Sequence, residues 1–199
     1  MKKGDPMGRT REFDPKDAAE KAMHLFWAKG YYDTSIRDLV DQTGVNPYGL
    51  YSVFTDKRGL FLAAIAHYQE TVTRDILSAL DTPAPARDGI RAVFERAQKI
   101  LMPHQGHAGC LMCNTAIELA PHDEEVAQII GRHLQHLQAR FLQELTRAQK
   151  ANEISPDKDL KALSEYFAAA AYALGMLLRA GMSQAYVRRH IDTTLTLLD

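Results

Sequence analysis

An all-α fold of about nine helices is predicted by three features of the sequence. Apolar residues recur at helical spacing along most of the chain, and no segment shows the sustained apolar–polar alternation that is typical of strands. Pro, Gly, Asn and Asp cluster at intervals that suit helix ends. Hydrophobic residues make up 46% and charged residues 25% of the 199 residues, as in ordinary globular proteins. A chain of this length can bury a sizeable helical core.

The first four helices are predicted from their start and stop signals. Asp, Asn, Ser and Thr are favoured at the residue before a helix, Pro in its first turn, and Gly just past its end. On these signals the predicted segments are Asp14–Gly30, Thr34 or Ser35–Gly44, Asn46–Phe54 and Asp56–Leu80.

Five more helices are predicted after the break at 81–85. They are separated by a Gly-containing loop at 103–109 and a turn at 152–157, and the predicted segments are Arg87–Leu101, Cys110–Ala120, Asp123–Ala151, Asp159–Ala180 and Ser183–Leu198. We expect two units. Residues 1–58 form an N-terminal arm and a three-helix unit, and residues 59–199 form a second helical domain.

The segment Thr34–Phe54 is predicted to form a helix, a tight turn and a second helix. Gly44 supplies the left-handed backbone that ends one helix, and Asn46 caps the next. Such a pair must cross at a large angle, so the later helix projects and would fit the major groove of DNA. Spacing alone also allows a compact helical hairpin with a solvated face.

Three runs in this part of the chain resemble the N-terminal domain of TetR-type regulators. They are Gly30-Tyr31-Tyr32-Asp33-Thr34-Ser35-Ile36-Arg37-Asp38-Leu39, Gly44-Val45-Asn46-Pro47-Tyr48-Gly49-Leu50-Tyr51-Ser52-Val53-Phe54 and Thr55-Asp56-Lys57-Arg58-Gly59-Leu60-Phe61. The match covers about 50 residues in the family's order. It implies a helix-turn-helix that binds operator DNA, in a ligand-responsive transcriptional regulator.

The resemblance also implies roles for single residues. Tyr51, Lys57 and either Thr34 or Ser35 would contact backbone phosphates, and the residues facing the groove would be Pro47, Tyr48 and Ser52. The exposed face of this helix has no Arg or Lys, so bidentate reading of guanine is not expected from it. We expect readout through thymine methyls, hydroxyl contacts and DNA shape, with the basic arm residues Arg9 and Arg11 as minor-groove or phosphate contacts.

The run Gly109–Leu119 resembles one branch of the same family, the AcrR-like regulators, in which this helix lies near an effector cavity. An effector cavity needs apolar walls with a few polar groups. The candidates for its lining are Tyr68, Phe94, Gln98, Met102, Cys110, Met112, Cys113, Thr115, Phe167 and Tyr172. Ordinary core packing is the alternative for each of them.

A homodimer is predicted from the last two helices. The run Phe167–Gly175 is rich in small residues that allow close helix approach, and a second apolar stripe consists of Val187, Ile191, Leu195 and Leu198. Two copies would form a four-helix bundle, although part of this surface must be intramolecular core. A two-fold dimer suits palindromic DNA.

Cysteine and histidine spacing leaves a sensing alternative open. His104, His107, Cys110 and Cys113 recur at intervals of three, but helical geometry would rarely aim all four at one point, so no metal site is predicted. Cys110 is expected in the first turn of a helix, whose dipole would lower the thiol pKa. A thiol- or metal-based sensor acting through Cys110 and Cys113 is therefore a second hypothesis. His133 and His136 are expected on the solvated surface.

Catalysis, cofactors and membrane insertion are not predicted. The sequence has no phosphate-binding glycine loop and no nucleophile motif, and no apolar run reaches the roughly 18 residues that a bilayer requires. The predicted function is a cytoplasmic repressor, released from its operator by a small molecule. A helical small-molecule carrier without DNA binding is the remaining alternative.

Overall fold

The computed structural model describes residues 13–102 and 109–199, and every regular element in those two ranges is helical. The helices are α1 (Pro15–Lys29), α2 (Ile36–Thr43), α3 (Pro47–Phe54), α4 (Lys57–Tyr68), α5 (Arg74–Leu77), α6 (Ala86–Leu101), α7 (Leu111–Glu118), α8 (Glu124–Lys150), α9 (Leu160–Arg179) and α10 (Gln184–Leu195). A π-helical turn, Gln69–Thr73, joins α4 to α5. If α4, the π turn and α5 are counted as one interrupted helix, the described ranges contain nine helices. The predicted fold class is confirmed.

Side-chain caps set the beginnings of the N-terminal helices as the sequence predicts. The carboxylate of Asp14 accepts a hydrogen bond from the backbone of α1, and Ser35 forms a reciprocal capping box with Asp38 at α2. The side chains of Asn46 and Asp56 each accept a hydrogen bond from a backbone N–H group of the helix that follows, α3 and α4 respectively. These bonds satisfy backbone N–H groups that a helix start leaves unpaired.

The N-terminal helices pack around one apolar centre. α1 lies against α2 and α4, and α3 lies against α4. Phe26 of α1 meets Phe61 of α4 edge to face, with ring centroids 4.9 Å apart. Leu39 of α2 and Leu50 of α3 are almost fully buried. These contacts fix the orientation of α3.

The remaining helices form a second layer around the long pair α8 and α9. α6 packs against α9 and α8, and α10 covers α9 and α6. Phe141 of α8 lies between Phe94 and Phe167, with ring centroids 6.3 and 5.7 Å away. None of the helices in the described ranges has the length and apolar character of a bilayer-spanning segment.

The apolar stripe predicted on α10 as dimer surface is core instead. The buried residues are Val187, Ile191, Leu195 and Leu198, since α10 turns this face toward α6 and α9 of the same chain. The large apolar side chains left exposed on the outer side of α9 and around the start of α10 are Tyr166, Met176, Met182 and Tyr186.

Candidate nucleic-acid interface and internal cavity

The turn between α2 and α3 has the geometry that its sequence predicts. Gly44 has a φ of 74° in the left-handed region, where a Cβ atom would be strained. Two residues later, the Asn46 side chain accepts a hydrogen bond of 2.8 Å from the backbone N–H of Gly49. Leu50 anchors the inner side of α3 in the core. The short turn and the burial of this side leave the other side of α3 facing solvent.

The outward face of α3 carries three of the predicted groove residues, Pro47, Tyr48 and Ser52, all exposed. Tyr48 is 81% exposed, so its ring and hydroxyl are accessible to a partner. The Ser52 hydroxyl donates to the carbonyl of Gly49 at 2.7 Å and keeps its lone pairs free to accept. Tyr51 is half-buried and packs against the core.

The two candidate phosphate contacts at the start of α2, Thr34 and Ser35, differ in exposure. Ser35 is exposed, whereas Thr34 is fully buried and its hydroxyl donates to the carbonyl of Gly30 at 2.6 Å. The prediction that Thr34 contacts a phosphate is therefore corrected, because its side chain is fully buried. Ser35 is the exposed one of the two, with its hydroxyl donating to the carboxylate of Asp38 at 2.8 Å.

Lys57 lies at the first position of α4, near the loop that precedes α2. Its ammonium sits 4.4 Å above the centre of the Tyr31 ring, a cation–π contact. Partial burial lowers the pKa of Lys57. The aromatic contact holds the ammonium beside Tyr31, in the loop that precedes α2. The other predicted cations, Arg9 and Arg11, lie outside the described residues.

A cavity of about 40 Å³ lies between α4, α6, α8 and α9. Four of the predicted lining residues form part of its wall, namely Tyr68, Phe94, Cys110 and Tyr172. The wall residues that the sequence did not single out are Thr73, Ile76, Leu77, Val93, Ala97, Leu101, His133, Leu137, Phe141 and Ala171. Its volume holds only a few water molecules, so a larger ligand would have to widen it.

The other predicted lining residues lie elsewhere. Gln98 and Met102 line a separate cleft of about 130 Å³ beside α10, because they sit one step around α6 from the cavity-facing residues Phe94 and Ala97. Phe167 packs behind the wall, against Phe94 and Phe141. Three predicted residues of α7, Met112, Cys113 and Thr115, are buried but do not line the cavity.

Burial makes both cysteines poor thiolates. Cys110 precedes α7, and the hydroxyl of Tyr68 donates to its Sγ at 3.6 Å. Burial raises the pKa of Cys110, and burial followed by repulsion from Cys110 raises that of Cys113 to about 11. The predicted lowering of the Cys110 pKa is therefore wrong, since desolvation outweighs the helix dipole. His104 and His107 lie outside the described residues, and within those residues no three candidate metal ligands come together.

His133 is buried in the cavity wall, contrary to the expected surface position, while His136 is exposed. Desolvation, followed by the charge of His136, lowers the pKa of His133 to about 4, so its ring is neutral at pH 7. A sequence signal for its burial exists. His133 lies three residues after Ile130 and four before Leu137, on the apolar stripe of α8.

One polar atom in the cavity wall lacks a hydrogen-bond partner. The Tyr172 hydroxyl is buried, and no protein group in the described ranges bonds to it. The His133 ring lies near it, with centroids 5.9 Å apart. An unpaired buried hydroxyl costs free energy that a bound polar group would recover.

Hydrogen bonds connect the cavity region to the helices around α3. Glu118, at the end of α7, accepts from the backbone N–H groups of Tyr31 and Tyr32 at 3.0 and 2.7 Å. The indole Nε1 of Trp27 donates to the carbonyl of Gly109 at 2.7 Å, next to the cavity residue Cys110. Movement of α7 would therefore pull on α1 and on the loop before α2.

Comparison with known proteins places this architecture in a family. Residues 19–64 match the family model described as bacterial regulatory proteins, tetR family, and residues 86–194 match the tetracyclin repressor-like C-terminal domain. The chain is 30% identical to YezE of Bacillus subtilis (strain 168), an uncharacterized HTH-type transcriptional regulator, over 97% of this chain and all of the relative.

One further relative and one solved structure agree with these matches. The chain is 32% identical to the HTH-type transcriptional repressor ComR of Escherichia coli (strain K12), over 96% of this chain and 91% of the relative. A cysteine mutant of the regulator CifR, solved with 26-bp double-strand operator DNA, superposes with a TM-score of 0.86 at 24% identity, covering 96% of this chain and all of that one. The predicted family is thus confirmed, whereas the AcrR-like branch stays a prediction. This chain belongs to the TetR family of bacterial transcriptional regulators.

Proposed function

We propose that this regulator is a homodimeric repressor that binds a palindromic operator through α3 and leaves it when a small molecule occupies the cavity. The exposed face of α3 carries the proposal. It presents Pro47, Tyr48 and Ser52 to solvent, while Leu50 holds the opposite side in the core. A helix held this way can enter the major groove without unfolding its own domain.

The chemistry of α3 determines how it would read DNA. Pro47–Phe54 contains no Lys or Arg, so base contacts come from apolar surface against thymine methyls and from hydroxyls. Phosphate contacts come from Ser35, Tyr51 and Lys57 around α3, together with the basic N-terminal residues Arg9 and Arg11. Phosphate contacts fix orientation, and the uncharged α3 face and DNA shape supply sequence preference.

Release from DNA would follow from the hydrogen bonds that connect the two regions. A ligand that widens the cavity displaces Cys110 and α7, and Glu118 transmits that displacement to the loop before α2. In a two-fold dimer, this changes the separation of the two α3 helices and weakens operator binding. The exposed Tyr166, Met176 and Tyr186 supply apolar surface for the dimer contact on α9 and α10.

The boundary between the DNA-binding domain and the effector-binding domain lies near residue 58. Residues 1–58 would bind DNA, and residues 59–199 would bind the effector and the second subunit. α4 belongs to both units physically, since Leu60 packs in the N-terminal core and Tyr68 lines the cavity. The protein would act by binding rather than by catalysis, in the cytoplasm where the operator is.

A footprint on the DNA upstream of the regulator's own gene tests this function. We expect two protected half-sites whose centres lie about one helical turn, roughly 10 bp, apart, and an affinity that falls as salt is raised. A protein that protects no duplex at low salt would instead be a helical small-molecule carrier, and the repressor proposal would be rejected.

A further inference from the structure

A groove of about 640 Å³ lies next to the internal cavity, between α8 and the segment formed by α4, the π turn and α5. Thr73, Leu77 and His133 line both the groove and the cavity. The two spaces therefore share a wall of three side chains. A ligand in the groove would reach the cavity by displacing these side chains.

The π turn places this shared wall at an irregular point of the helix. Gln69–Thr73 follows the i→i+5 pattern, and Thr73, its last residue, is buried in the wall. π turns widen a helix locally and are frequent at functional sites. The backbone next to the shared wall is thus the part of this long helix that departs from regular α geometry.

The groove is cationic. Three arginines line it, Arg74, Arg132 and Arg140, and Glu70 is the one acidic side chain among its lining residues. Arg140 is already engaged, by Asp81 at 2.7 Å and by the carbonyl of Leu77 at 3.3 Å. Within the described residues, Arg74 and Arg132 have no ion-pair or side-chain hydrogen-bond partner. Their guanidinium groups are free to bind an anion, for which a carboxylate is the matching planar group.

The cavity has the opposite character. Aromatic and aliphatic side chains dominate its wall, and its buried titratable groups, His133, Tyr172, Tyr68 and Cys110, are neutral at pH 7 because burial disfavours their charged forms. An anion moved into such a space would lose its hydration without a counter-charge. The apolar part of a ligand suits this space, which must widen to admit it. The charge of the ligand must stay in the groove.

We propose that the effector is an amphipathic carboxylate. Its apolar tail passes Thr73, Leu77 and His133 into the cavity, and its carboxylate is held by Arg74 and Arg132 in the groove. This assignment rests on the proposed function and names the chemical class of its effector. A tail long enough to cross the shared wall widens the cavity and displaces Cys110 at the start of α7.

The test compares carboxylates with matched neutral amides on the full-length protein without DNA. Hexanoate, octanoate, decanoate and their primary amides are titrated by calorimetry. Each carboxylate is expected to bind about tenfold more tightly than its amide. Affinity should also rise about fourfold for each added methylene, because the tail is buried in the cavity.

Two exposed substitutions locate the carboxylate. The double variant Arg74→Gln and Arg132→Gln should lose the preference for carboxylates over amides with an unchanged Tm, since neither side chain supports the fold. Lys99→Gln removes an exposed cation of α6 outside the groove and should keep the preference. Ala171→Val adds two methyl groups to the cavity wall from α9 and should reduce the dependence on tail length while the carboxylate preference remains.

Several outcomes would overturn this assignment. They are equal binding of amides and carboxylates, no binding by any carboxylate of the series, or a carboxylate preference that survives in the double arginine variant. The footprint without ligand tests operator binding separately. A protein that binds decanoate but protects no DNA would keep the ligand class and lose the repressor role. A protein that protects DNA but binds no carboxylate would keep the repressor role and lose the ligand class.

Discussion

The exposed face of α3 and the wall of the cavity use similar side chains in opposite environments. Tyr48 of α3 is 81% exposed, whereas the Tyr172 hydroxyl in the cavity wall is buried without a partner. The exposed face of α3 is formed by one eight-residue helix and the turn before it. The cavity wall takes side chains from α4, the π turn, α5, α6, α8 and α9, along with Cys110. A surface built by one helix follows from local sequence, but a wall built by many elements follows from packing.

The largest expected effect is the pH dependence of stability that burial of His133 causes, and the exposed His136 of the same helix serves as its control. The unfolded His133 takes up a proton near pH 6.5, but the buried ring resists protonation until about pH 4. The unfolded state therefore binds more protons in this interval, so stability is present above pH 6.5 and is lost as the pH falls toward 4. We expect a loss of about 3 kcal/mol per subunit, measured by urea unfolding at fixed protein concentration.

Substitution of each histidine assigns that loss. His133→Gln should remove this component of the pH dependence, and His136→Gln, three residues away and exposed, should retain most of it. The assignment fails if the two variants lose stability in parallel with the wild type between pH 6.5 and 4.

Two helical glycines test the tightness of packing next to the cavity. A Cβ at Gly175 of α9 would lie 2.6 Å from the Cβ of Cys110, whereas one at Gly131 of α8 would meet nothing within 4 Å. Gly175→Ala should therefore lower the free energy of unfolding by about 2 kcal/mol. Gly131→Ala should raise it by about 0.5–1 kcal/mol through helix propensity. Thermal or urea unfolding that ranks the two variants the other way would contradict the close α9–Cys110 contact.

The unpaired hydroxyl of Tyr172 is expected to reduce stability when no ligand is bound. Tyr172→Phe removes a buried group that has no partner and should raise the free energy of unfolding by about 1 kcal/mol. Tyr48→Phe, on the exposed face of α3, should leave it unchanged. A loss of stability in Tyr172→Phe, measured in the same buffer, would show that this hydroxyl has a partner in the apo protein.

The smallest effect on folding is expected on the exposed face of α3. Tyr48→Ala should change the free energy of unfolding by less than about 0.5 kcal/mol, because most of the side chain is already in water. Operator affinity should nevertheless fall about fivefold, corresponding to roughly 1 kcal/mol of lost contact. Gel-shift titration at constant salt measures the affinity, with Lys99→Ala as an exposed control. Unchanged affinity would remove Tyr48 from the interface.

The cysteines and the start of α2 show where local inference fails. The position of Cys110 before α7 was predictable, but its surroundings were not, because Tyr68 and Gly175 approach it from distant helices. Thr34 and Ser35 are equally good hydroxyl donors in sequence. Only the folded chain shows that Thr34 turns inward to the carbonyl of Gly30 while Ser35 stays at the surface.

The sequence by itself determined the helical class, the ends of most helices and the outward face of α3, together with the family resemblance. Caps such as Asp14 and Asn46 act over three or four residues, so their effect is written in neighbouring positions. Tertiary structure alone decided which face of α6 lines the cavity, that Thr34 is buried, and that the α10 stripe is core. Those outcomes depend on helix-to-helix distances across the whole chain, and periodicity identifies an apolar face without identifying what it packs against.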